Sequence, residues 1–198
     1  MTHARPAAPT TPLLALLLLI LLGVGQPVAA TASVVRPADI DTEVRAAIAG
    51  ARLSGQGSLK VFGFHIYDAR LYVGPDGLGS DLGGDRPYAL DLRYARAIKG
   101  RAIVKRTRQE MERIGAGTAE QRRRWEQQLL GLFPDVARGD HLTGVYRPGR
   151  GTVFLRNGRP IGEVAGAEFA RAFFGIWLHP DSAAPDMRAA LLGAARAS

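Results

Sequence analysis

Strand-forming and helix-forming stretches come in blocks along this chain rather than in alternation, and that ordering restricts the fold more than any other feature. Residues Leu59 to Val73 alternate with period two. The odd positions (Leu59, Val61, His65, Tyr67, Ala69, Leu71, Val73) make the drier face, while Phe62, Phe64 and Ile66 make the other face apolar at its start. This predicts one long strand, locally covered on both faces. Gly74-Pro75-Asp76-Gly77 breaks it, and Tyr88 to Ile98 resumes as a half-buried strand with Tyr88, Leu90, Leu92 and Tyr94 on one side. Two helix starts follow. Thr107 with Glu110, and Thr118 with Gln121, both have capping-box spacing, and Trp125, Leu129 and Leu132 fall on one helical stripe.

Strands then return. Leu142–Tyr146, Thr152–Arg156 and Arg159–Val164 are separated by turn sequences, the second being Asn157-Gly158, a strong two-residue hairpin signal because both turn positions need positive φ. Two more helices close the pattern: Ala167–Leu178, with Phe169, Phe173, Ile176 and Trp177 on one side, and Asp186–Leu192, with Pro185 before it and Gly193 after it. A short helix over Asp41–Ala49 would precede everything, its Val44 and Ile48 sharing one face. Strands, helices, a strand meander and helices again predict an α+β fold, an antiparallel sheet with helices packed against it.

No element of that fold accounts for the N-terminus. Arg5 precedes an unbroken apolar run from Leu13 to Val24, followed by Gln26, Pro27 and the small residues Ala30-Thr31-Ala32. This is the layout of a secretory signal peptide, with cleavage expected after Ala32. The run is shorter than the roughly 20 apolar residues that a spanning helix needs. The expected organisation is therefore a signal segment over 1–32, a lead-in with a short helix over 33–49 and one domain over 50–198. The mature protein would be periplasmic or secreted, with membrane contact only if the signal segment stays uncleaved.

The chain has no cysteine, which rules out disulfides, thiol catalysis and thiolate metal sites. Its 26 Lys+Arg against 18 Asp+Glu give a net charge of +8. The densest basic run, Arg122-Arg123-Arg124, falls on the wet side of a predicted helix, so a solvated surface is expected and no nucleic-acid partner. The histidines His3, His65, His141 and His179 are not spaced as metal ligands, and neither Gly-x-Ser-x-Gly nor His-Glu-x-x-His occurs. Gly55-Gln56-Gly57 lacks the rest of a dinucleotide fingerprint and reads as a bend. Gly139-Asp140 reads as a turn. Neither a metal nor an organic cofactor is expected.

Two landmarks carry a resemblance. Tyr67-Asp68-Ala69-Arg70-Leu71-Tyr72-Val73 and Phe173-Phe174-Gly175-Ile176-Trp177-Leu178, in this order and at this separation, resemble bacterial chalcone-isomerase-like proteins. Gly55-Gln56-Gly57, Glu110-Met111, Tyr146-Arg147-Pro148-Gly149 and Leu191-Leu192-Gly193 fall into the same order, so the likeness spans roughly residues 50–193. It implies an open-faced β-sandwich, a long antiparallel sheet backed by helices, with a cleft between them. In that superfamily the cleft takes flavonoid precursors in the true isomerases and fatty acids in plant relatives. The isomerases' reactive groups do not carry over. No arginine lies between Arg52 and Arg70, Tyr67 stands about where a threonine would be, and Ile103 where a tyrosine would be.

The expectation is therefore a non-catalytic binder of a small apolar or amphipathic, acyl-type ligand in a sheet–helix cleft, with no catalytic residues. The candidate ligand contacts are Lys60, His65, Tyr67, Arg93 and Tyr94. The alternatives are an isomerase of the same lineage acting on another substrate, and a structural envelope protein whose cleft is closed.

Overall fold

The computed structural model describes Thr42 and residues 44–193, and the apolar N-terminal run lies outside these. Six strands, β1 (Arg52–Val61), β2 (Phe64–Val73), β3 (Tyr88–Tyr94), β4 (His141–Arg147), β5 (Gly151–Arg156) and β6 (Arg159–Ala165), pair in chain order as one antiparallel meander. Helices α1 (Gly100–Arg113) and α2 (Ala119–Leu130) form the β3–β4 connection. Helices α3 (Ala167–Leu178) and α4 (Pro185–Leu191) follow β6. This is the expected α+β architecture. Among the described residues no helix is long and apolar enough to cross a membrane.

The expected strand over Leu59–Val73 is two strands. Phe62 and Gly63 form a two-residue turn with φ of 49° and 80°, close to the 51° and 78° of Asn157 and Gly158 in the β5–β6 hairpin. Alternation of side chains continues past such a turn, so periodicity alone could not reveal it, and Phe is a poor residue at positive φ. As a result Phe62 and Phe64, read as buried on a second covered face, are 78% and 59% exposed. A bulge follows directly. Leu59 pairs with Tyr67 but Lys60 pairs with His65, leaving Ile66 without a counterpart. The extra residue reverses side-chain parity. Tyr67 thus faces the helices, whereas His65, expected beside it, turns to the opposite face.

Helix α1 also differs from expectation. It begins at Gly100, seven residues before Thr107, and its first N–H is satisfied by the Asp135 carboxylate at 2.9 Å in place of a local cap. Thr107 is an interior residue whose hydroxyl donates back to the Ile103 carbonyl. The expected strand to Ile98 ends at Tyr94, leaving Ile98 in an isolated bridge with Val136. Helix α2 has the expected capping box, Thr118 and Gln121 each bonding the other's backbone N–H.

The helix-backed face of the sheet is the main core. Leu71, Leu90, Tyr88, Tyr146 and Phe154 meet Phe169, Phe173, Phe174 and Trp177 of α3. Edge-to-face contacts such as Phe154–Phe173 at 5.1 Å and Phe133–Phe154 at 4.9 Å join them, a geometry worth ~0.5–1.5 kcal/mol per pair beyond area burial. Helix α3 is covered on nearly every side, so its buried set is wider than the predicted stripe and includes Ala170, Phe174 and Gly175. At the β1 edge α4 lies directly on the strand. A Cβ on Gly55 would fall 1.9 Å from the Ala190 carbonyl oxygen, and one on Gly57 would fall 3.3 Å from Met187 Cγ. Gly55-Gln56-Gly57 is thus not a bend but a flat strip of β1 on which a helix backbone rests.

The opposite face carries a smaller apolar patch. The chain is helical over residues 44–47, and Val44 and Ile48 drop onto Tyr72, Ala89, Val145 and Leu155. Both are fully buried, a contribution of roughly 1.5–3 kcal/mol each.

Candidate functional site

The sheet divides the five candidate residues between its faces. Tyr67 and Tyr94 sit opposite each other on β2 and β3 on the helix-backed face, their rings edge to face at 5.9 Å. Trp177 of α3 donates its indole N–H to the Tyr67 oxygen at 2.9 Å. Burial is the main cause that pushes the Tyr67 phenol up to about 12, with the Glu110 carboxylate adding to it. Burial, then the neighbouring Tyr67, raises Tyr94 further. Phenols held this far above neutrality remain protonated and act as hydrogen-bonding groups. The nearby carboxylate is Glu110, itself buried and clamped between Arg106 at 2.5 Å and Arg113 at 2.7 Å. Its position four residues after Arg106 and three before Arg113 was readable as helix-surface pairing, but its burial was not.

Lys60, His65 and Arg93 lie on the other face, in one cross-strand neighbourhood. Ser58, Asp68, Arg93 and His141 are successive partners across β1 to β4. Asp68 accepts from the Ser58 hydroxyl at 2.6 Å and from His65 Nε2 at 2.8 Å. Partial burial works to raise its pKa, but these two bonds outweigh burial and hold the carboxyl below its ordinary value. The next row is Gln56, Arg70, Asp91 and Thr143. Here Asp91 accepts from His141 Nδ1 at 2.9 Å and from the Thr143 hydroxyl at 2.8 Å, with all three residues buried. The acceptor-only carboxylate places a proton on Nδ1. Thr143 bonds the carboxylate and not the imidazole, so the trio is a polar clamp across β3 and β4, without the nucleophile–base contact that hydrolytic chemistry needs. Sequence reading missed His141 and Asp91 because they are 50 positions apart and only strand register unites them.

Two of the hollows on the described surface are lined by neither Tyr67 nor Tyr94. One, of about 330 Å³, lies where α2 meets the start of α3. The other, of about 380 Å³, lies on the face away from α1 to α4, between the residue 44–47 turn and the sheet. Val44, Ala51, Leu53 and Tyr72 supply apolar lining, Gln56 an amide, and Arg45, Arg52 and Arg70 three guanidinium groups. These arginines make no ion pair within the described residues, a trait they share with other cations of the chain such as Lys60 and Arg93. The expected cleft between sheet and backing helices is occupied at its tyrosines by Trp177 and at Gly55 by α4, and an open concavity lies against the N-terminal turn. No sequence motif marked the three arginines, which come from the turn, β1 and β2. Among the described residues no group of three His, Asp or Glu side chains could hold a metal ion.

The same arrangement of sheet and helices occurs in solved structures. The fold superposes on an Arabidopsis thaliana fatty-acid binding protein with a TM-score of 0.61, covering 74% of this chain and 89% of that one at 14% sequence identity. At that identity the likeness is one of fold. A protein of Haemophilus influenzae whose role is uncharacterised is 28% identical over 130 residues, 66% of this chain and 62% of that protein, so the match spans less than two thirds of the relative's length. Residues 32–193, which include every described residue, match the chalcone isomerase-like family, and the chain belongs to that family.

Proposed function

We propose that the protein is an exported, non-catalytic carrier of an amphipathic anion, with an acyl carboxylate as the model ligand, seated in the hollow between the residue 44–47 turn and the sheet. The carrying observation is that three guanidiniums with no ion pair among the described residues, Arg45, Arg52 and Arg70, converge around apolar lining. A volume of about 380 Å³ suits a single small amphipath. The guanidiniums can take up a carboxylate through charge-assisted bonds while Leu53, Val44 and Tyr72 meet the chain. The fatty-acid binding described for the Arabidopsis relative supports this class of ligand. The leader-like run Leu13–Val24 supports export.

Native mass spectrometry of protein purified from a bacterial host, with lipid extraction, tests the reading. A co-purifying acyl anion is expected, with affinity falling tenfold or more in Arg52→Gln and Arg70→Gln, since each removes a charge-assisted bond of roughly 1.5–3 kcal/mol. A clean apo mass with no thermal shift across a panel of fatty acids would favour the structural-protein alternative. Turnover of a flavonoid precursor would favour the isomerase. Fractionation of the producing cells, with the N-terminal mass of the recovered protein, tests export and cleavage after Ala32.

A further inference from the structure

The β1–β2 hairpin ends in an aromatic tip. Phe62 and Phe64 are 78% and 59% exposed, and Val61 beside them is also exposed. Phe62 holds φ at 49°, a conformation that Asn157 adopts at the corresponding point of the β5–β6 hairpin. Asparagine is the low-strain residue there, and a bulky ring is an outlier. The chain thus places a large apolar side chain at the outermost point of the sheet, where both solvation and backbone preference oppose it. Gly63, which follows, has open space around it.

The charge near the tip that no ion pair offsets among the described residues is positive. Lys60 adjoins the turn, and the Arg96 guanidinium lies 5.9 Å from the Phe64 ring centroid. Arg93 is near the end of β3. Arg138 lies in the turn whose Gly139 N–H bonds the Tyr94 carbonyl, and Arg159 opens β6 after the hairpin that bonds His141. All five are exposed, and none makes an ion pair within the described residues. The carboxylates at this end of the sheet are already engaged: Asp68 by Ser58 and His65, Asp135 by Lys99 and the Gly100 N–H, Asp140 by Arg156 and Asn157.

We infer that this end of the sheet docks on an anionic lipid surface, the Phe62-Gly63-Phe64 tip entering the headgroup region and the surrounding cations meeting lipid phosphates. Exposed aromatic rings flanked by Lys60 and Arg96, with further cations along the same end of the sheet, suit a layer that is apolar beneath and negatively charged above. This contact belongs to the folded domain and is separate from any through the apolar N-terminal run, the only membrane contact expected from the sequence. It is also separate from the arginine-lined hollow, so either assignment can fail alone.

Flotation of the full chain with vesicles of phosphatidylcholine containing phosphatidylglycerol, against pure phosphatidylcholine, tests it. Residues 13–24 are common to all variants, so differences between variants report on the tip. Phe62→Asn and Phe64→Ser should each weaken binding to the anionic vesicles by about tenfold, and raised salt should remove the preference for them. Because the chain has no cysteine, Phe62→Cys gives a unique labelling point. An environment-sensitive dye there should shift to the blue on anionic vesicles, while the same dye at Ser80→Cys, in the loop at the other end of the sheet, should not. Wild-type vesicle binding in both Phe variants overturns the inference, as does equal binding to neutral vesicles. So does a tip that instead joins two copies of the chain, seen as a sedimentation change on Phe62→Asn with vesicle binding intact. Melting curves of both variants confirm that each is folded.

Discussion

The two faces of the sheet solve the problem of burial differently. The face under α1, α3 and α4 is an aromatic core with few polar groups: Tyr67 accepts from Trp177, Tyr88 donates to the Leu82 carbonyl, and the buried Thr152 hydroxyl has no hydrogen-bond partner among the described residues. The opposite face mixes an apolar patch under Val44 and Ile48 with two cross-strand rows of polar side chains and the arginine-lined hollow. The comparison teaches where this domain keeps room for a ligand. The helices leave a hollow where α2 meets the start of α3, and the one short helical turn on the opposite face covers only part of it and leaves a second concavity at its margin.

If the helix-backed face is the stability core, truncation there should cost most. Phe154→Ala removes a fully buried ring that touches Phe133, Phe169 and Phe173. It should destabilise by about 3–5 kcal/mol in urea unfolding. On the other face Asp91→Ala strands the His141 and Thr143 donors in a buried site and should cost about 2–3 kcal/mol. Replacing all three by apolar residues of similar volume should cost much less, because no donor is then left unpaired. If the triple variant is as damaged as the single one, the trio does more than clamp strands.

Turn variants sharpen the contrast between the two hairpins. Asn157→Ala loses amide bonds to the His141 N–H at 2.8 Å and Asp140 at 2.9 Å and keeps a left-handed backbone, for about 1–2 kcal/mol of destabilisation. Phe62→Asn should go the other way, raising stability by roughly 0.5–1 kcal/mol, with the melting temperature as readout.

The smallest effect is acidic. Arg171 of α3 grips the exposed Asp81 carboxylate through two bonds of 2.7 Å, and this, with the Gly83 N–H, lowers its pKa to about 2. A folded value below the unfolded one of about 3.9 means that the stabilisation is complete above about pH 4 and is lost as pH falls towards about 2. Acid titration of Asp81→Asn should show that segment of the stability curve flattened. An unchanged curve would leave the loop-to-helix staple without weight.

The elements that sequence reading recovered are those whose signal is local. Thr118 and Gln121 are three apart, and Asn157-Gly158 is its own turn. Helix α3 shows its apolar side within four turns. One misreading is local, the turn at Phe62-Gly63 that side-chain alternation hides, and others concern contacts made elsewhere. Helix α1 begins at Gly100 because Asp135, 35 residues away, supplies the missing acceptor. His65 changes faces because a bulge inserts one residue opposite Lys60. Of the candidate ligand contacts, Tyr67 and Tyr94 meet on one face and Lys60, His65 and Arg93 gather on the other. Separation across a sheet depends on parity, and parity on a single inserted residue.

Periodicity, capping residues and turn dipeptides, which act over a few positions, determined the α+β class, the meander and the order of helices from the residues alone. Tertiary structure alone decided that Asp91 meets His141, that α4 seals the Gly55 strip and that Arg45, Arg52 and Arg70 surround one hollow. Those outcomes depend on strand register and helix placement, which are set by the whole core at once and leave no local mark on the chain.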